Sequence, residues 1–181
     1  MSLRFSPLPV LAALATLAAV APASASLVTN PTFTYTHGSG SLDGWTLHGV
    51  EGESLRVVYS EATLNDYAAI RSGSAISQRV GRGYRLVAGD RITVHFRQGN
   101  EWNGRAIRVS LHLPDEPSSP LAEKIVPVTP DLAPATFEYT VPPGVPGLGG
   151  SLVLRFFAEG EATDNLWVQL DDVEVEIVSP R

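Results

Sequence analysis

Apolar residues recur at every second position through most of this chain, and that period commits it to sheets. Ile92, Val94 and Phe96 alternate with Thr93, His95 and Arg97. Ile107, Val109, Leu111 and Leu113 alternate with Arg108, Ser110 and His112. Phe137, Tyr139 and Val141 form a third set, and Leu152, Leu154 and Phe156 a fourth. Strand side chains point to opposite faces in turn, so each set lays its apolar members on one face. Shorter strands are expected over residues 45–48, 55–59, 75–80 and 125–128. Gly and Pro punctuate the runs, as in Ala88-Gly89-Asp90 and Pro142-Pro143-Gly144. Many short strands between such turns predict an all-β domain, a two-sheet antiparallel β-sandwich, with a closed barrel as the alternative. Residues 61–70 carry the best helical spacing, through Leu64, Tyr67 and Ala68, and read as at most one helical turn.

The final run is irregular. Leu166, Val168 and Leu170 share one parity, whereas Val173, Val175 and Ile177 share the other. The slip falls on Asp171-Asp172 and predicts a β-bulge. Two adjacent carboxylates at a bulge repel one another unless something neutralises them.

The N-terminus reads as a secretory signal. Arg4 precedes an apolar run over residues 10–21, and Ala23-Ser24-Ala25 supplies small residues for cleavage after Ala25. That run is far shorter than the roughly 20 residues needed to span a bilayer. Residues 1–25 are thus expected to be a signal peptide and residues 26–181 a single secreted domain. Cysteine is absent, which excludes thiol chemistry and zinc–thiolate sites. The formal charge of the whole chain is −6, and loss of Arg4 makes it more negative. Such a balance argues against nucleic acid or an anionic membrane as partner. The histidines His37, His48, His95 and His112 fall in no metal-binding spacing, and no nucleophile elbow, P-loop or dinucleotide fingerprint occurs. The chain therefore reads as a non-enzyme.

Several segments match one family in order. Asn30-Pro31-Thr32-Phe33, then Leu42-Asp43-Gly44-Trp45, resembles the N-x-x-F … GW opening of carbohydrate-binding modules of the galactose-binding-like jelly-roll class. These modules are appended to xylanases and glucanases. Ile76-Ser77-Gln78-Arg79-Val80 and Gly83-Tyr84-Arg85-Leu86 resemble its middle. Gln169-Leu170-Asp171-Asp172-Val173 resembles its closing I-D-D-V strand. The resemblance implies a jelly-roll sandwich, a polysaccharide or other glycan as ligand, and a structural calcium. Calcium takes about six to eight oxygens. Asp171 matches the family's metal position, and Glu51 or Glu53 stands where a second carboxylate is needed. Thr34 occupies the place where the family usually carries a further acid.

A binding face follows from the strands over residues 91–113. Joined as a hairpin through residues 98–105, they would gather Thr93, His95, Arg97, Arg108, Ser110 and His112 on one sheet face. Planar, donor-rich groups suit hydroxyls and carboxylates, so His95, Arg97, Arg108 and His112 are the candidate ligand contacts. Trp102, in the polar segment Gly99-Asn100-Glu101-Trp102-Asn103-Gly104, is the candidate stacking platform. Trp167 and Tyr67 are secondary candidates, and Trp45 and Tyr84 read as core. The leading reading is a secreted, non-catalytic glycan-binding protein. A structural or adhesive extracellular protein is the alternative, followed by an unusual enzyme using Asp or His as acid.

Overall fold

The computed structural model describes residues 27–36, 39–40, 42–50, 53–61, 64–81, 84–115, 118–145 and 151–180. The proposed signal peptide lies outside these, as does Glu51. Twelve strands are present and no helix occurs among the described residues. They are β1 (Tyr35–Thr36), β2 (Ser39–Gly40), β3 (Thr46–His48), β4 (Leu55–Ser60), β5 (Asn65–Arg71) and β6 (Ala75–Val80). The rest are β7 (Arg91–Trp102), β8 (Ala106–His112), β9 (Pro120–Pro127), β10 (Ala133–Thr140), β11 (Leu152–Ala158) and β12 (Trp167–Val178).

Two five-stranded sheets form a sandwich. The front sheet has the order β10-β7-β12-β5-β4 and the back sheet β3-β6-β11-β8-β9. Every pairing in both is antiparallel. A separate β1–β2 ribbon completes the set. The alternating residues do what their period demands: Ile92, Val94 and Phe96 from β7 meet Ile107, Val109 and Leu111 from β8 in the core. An aromatic chain crosses this layer. Phe96 packs edge-on against Phe156 with centroids 5.2 Å apart, Phe156 lies 6.2 Å from Trp45, and Trp45 lies 5.3 Å from Phe33.

The motif residues frame this core. The Trp45 indole N–H donates to the Asn30 carbonyl at 3.1 Å. Gln78 points inward and clamps Thr29 both ways, donating to its carbonyl at 2.8 Å and accepting from its N–H at 2.6 Å. Gly44 turns beneath this clamp at φ +84°, where a Cβ would stand 2.8 Å from that of Thr29. Only glycine suits both the backbone conformation and the space.

Two expectations are overturned. Residues 61–70 are no helical turn: β5 occupies most of them, between β12 and β4. Its Ala68 and Ile70 enter the main core while Tyr67 and Ala69 are buried on the opposite face. A strand covered on both faces loses its alternation, and the continuous apolar run imitates helical spacing. Nor do β7 and β8 form a hairpin. β7 runs on to Trp102 and pairs with β10 and β12, while β8 pairs with β11 and β9 in the other sheet. The connection is an arch between sheets. Asn103 adopts φ 50°, and the Gly104 N–H donates to the Asn100 side-chain oxygen at 2.8 Å. Gly104 lies against the Trp167 carbonyl, leaving no room for a Cβ.

Candidate functional site

The arch splits the expected face. His95 and Arg97 lie on the front sheet, whereas Arg108 and His112 lie on the back sheet. The cause is pairing: both edges of β7 are taken, by β10 and β12, so β8 crosses to the other sheet.

On the front, the outward side chains of three adjacent strands converge. Glu101 from β7 accepts from the Tyr67 hydroxyl of β5 at 2.7 Å and from the Gln169 amide of β12 at 2.9 Å, both at Oε2. A carboxylate offers about four lone-pair sites, so acceptor capacity is left over. Burial, then the hydrogen bond and charge of Glu101, push the Tyr67 phenol up to about 12, so it remains a donor at any physiological pH. Beneath this network lies an apolar floor of Tyr67, Ala69 and Trp167, extended by Val58 and Leu132. A cavity of about 210 Å³ opens among Ser60, Tyr67, Pro130, Asp131, Leu132 and Gln169. Gly99 keeps the centre low: a Cβ there would stand 2.7 Å from the Gln169 side-chain oxygen.

The indole of Trp167 is nearly buried, its N–H donates to Asn165 at 2.9 Å, and the Arg56 guanidinium covers its face at 4.3 Å. Trp102, at 58% exposure, ends β7 one residue beyond Glu101, so the alternation of the strand turns it away from the face that Glu101 occupies. His95 meets the Thr136 hydroxyl at 3.2 Å in an exposed position. Arg97 is spent on the protein itself: it donates to the Leu132 carbonyl at 3.1 Å and pairs with Asp172 at 3.7 Å. It therefore braces the segment that walls the cavity.

The bulge lies where the sequence slips, with the β12 register shifting between Asp171 and Glu174. Asp172 adopts φ 48° and turns out toward Arg97. Asp171 is wholly buried; one oxygen accepts from the Asn65 amide and the other has no partner. Burial, reinforced by the Asp172 charge, raises its carboxyl to about 6 against the pull of hydrogen bonds from Asp172 and Asn65 and of Arg97. Of the two expected calcium ligands, Glu51 lies outside the described residues and Asp171 offers one oxygen without a partner. Asp172 is engaged by a cation, and no group of three or more His, Cys, Asp or Glu suited to a metal occurs among the described residues.

Glu101, Gln169 and Arg56 are absent from the sequence-derived set, which took polarity on one supposed hairpin as its guide. With β5 read as a strand, Tyr67 would fall opposite Ala68 and Ile70, which is the signal that leads to this face.

No family model matches the sequence, and no curated protein matches it. Solved structures share the fold. The Stig cyclase Fisc from Fischerella sp. TAU, in complex with an indole compound, superposes with a TM-score of 0.67 at 15% identity, over 86% of this chain and 98% of that one. A CBM4 carbohydrate-binding module gives 0.56 at 20% identity, over 83% and 99%. TmCBM61, in complex with β-1,4-galactotriose, gives 0.56 at 19%, over 84% and 99%. The chain also matches 21% of the length of the enzymatically active domain of bacteriophage CBA120 tailspike protein 4. At these identities the likeness is one of fold: a jelly-roll β-sandwich of the kind that carbohydrate-binding modules use.

Proposed function

We propose that this protein binds a glycan without catalysis, outside the cytoplasm, on the outer face of the front sheet. The observation that carries the reading is the Glu101 carboxylate gripped by Tyr67 and Gln169 above an apolar floor. A sugar presents hydroxyls at its edge and C–H groups on its faces, so it needs polar fingers beside apolar surface. The fold shared with modules named for carbohydrate binding supports the same reading.

A polysaccharide affinity gel tests it. Retardation on at least one neutral polysaccharide is expected, falling about tenfold or more in Glu101→Ala, since an unpaired buried donor costs about 1–3 kcal/mol. No retardation on any glycan, or full retention by a folded Glu101→Ala, would reject this face.

A further inference from the structure

The back sheet carries a second polar cluster that glycan binding on the front does not use. Its centre is Arg155, in the middle of β11. The register sets Arg155 opposite Ser77 of β6 on one side and Ser110 of β8 on the other. Each serine is bonded to a histidine: Ser77 Oγ to His48 Nε2 at 2.8 Å, and Ser110 Oγ to His112 Nε2 at 2.8 Å. Ser77, Ser110 and His112 are buried, so this is a desolvated polar floor and no ordinary solvated outer face.

The two arginines here differ. Arg108 is neutralised, donating to Glu159 at 2.7 Å and lying 3.6 Å from Glu123. Arg155 has no ion pair among the described residues, and its Nε is buried without an acceptor. A buried guanidinium N–H lacking a partner is costly and calls for an acceptor. Space for one exists: a cavity of about 230 Å³ opens among Arg108, Ser110, His112, Glu123, Arg155 and Phe157, with the Glu123 carboxylate turned to Arg108. Burial, and then the charge of Arg155, lower the affinity of His48 for a second proton.

We propose that this pocket is a second ligand site, built for one oxyanion, a carboxylate or a sulfate. Guanidinium and oxyanion match as a planar fork and its acceptors. When the His112 Nε2–H donates to Ser110, the Ser110 hydroxyl hydrogen is free to donate to an anion in this cavity. Phe157, next outward on the same strand, offers apolar surface to whatever carries it. The overall charge of −6 repels polyanions, so the ligand is a single anionic group on an otherwise neutral frame, as in an acidic sugar, or a free anion.

Titration followed by NMR, with inorganic sulfate, galacturonate and galactose as probes, tests this on the whole protein. Saturable shifts of back-sheet amides at millimolar sulfate and galacturonate are expected, and none with galactose. Galacturonate binding threefold or more tighter than sulfate identifies the acidic sugar as source; equal affinity identifies a free anion. Arg155→Met should abolish both, and Ser110→Ala should weaken both about threefold. Arg155→Lys keeps the charge and loses the fork, so it should weaken binding at least threefold, and it decides the matter if Arg155→Met fails to fold. Glu101→Ala should leave anion binding intact, separating this site from the front face. Absence of saturable anion binding, or full binding by folded Arg155→Met or Arg155→Lys, would overturn the proposal.

Discussion

Asp171 shows how one buried group sets a measurable property. Its carboxyl is raised from 3.8 to about 6 because the bulge hides it from water. The native state thus holds the proton more tightly than the unfolded chain. The stability this contributes is complete below about pH 4 and is lost as pH rises through about 6. At roughly 1.4 kcal/mol per pH unit, the loss is on the order of 2–3 kcal/mol. Asp171→Asn should therefore raise the melting midpoint at pH 7 and change it little at pH 4, as read by thermal denaturation. A cation bound at Asp171 would reverse the result, with both the substitution and a chelator lowering the midpoint at pH 7. The Asp pair was legible as a bulge because parity changes across it. The separate fates of its two members were not, since they depend on Asn65 and Arg97, which are remote in sequence. His95, Arg97, Arg108 and His112 were legible as unusually polar strand residues, but sequence gave no sign that Arg97 and Arg108 are engaged by Asp172, Glu123 and Glu159.

Among the elements, the arch between β7 and β8 decides which residues can meet. A two-residue period identifies a strand and its buried side, but not the sheet it joins, because both sheets offer the core the same apolar face. The segment over residues 98–105 reads as a hairpin connection for that reason. Its tolerance is narrow. Gly104→Ala would press a methyl onto the Trp167 carbonyl, and backbone on both sides must shift to admit it. A cost of about 2 kcal/mol is expected, or a midpoint lowered by roughly 4–8 °C at this chain length. Calorimetry measures it directly, and an unchanged midpoint would mean that the arch is slack. β5 was hidden for the opposite reason. Its two buried faces erase the alternation that revealed its neighbours.

For the molecule as a whole, the sandwich was legible and its ligand faces were less so. Gly44, Trp45 and Gln78, which carry the family resemblance, frame the core and clamp the segment around Thr29. They therefore specify architecture, and the side chains that would choose a ligand lie elsewhere. The position of β12 has a consequence for biogenesis. The last of the described strands, β12, is the middle strand of the front sheet, inserted between β5 and β7, and the Val173 N–H also closes onto the Pro31 carbonyl. Before it arrives, β5 and β7 have no partner at their shared edge, and the early residues have no anchor at Val173. Contacts so distant along the chain form slowly. The front sheet therefore cannot close until β12 has left the ribosome. A chain ending before Trp167 should show no cooperative melting by circular dichroism, whereas the full chain should melt in a single transition.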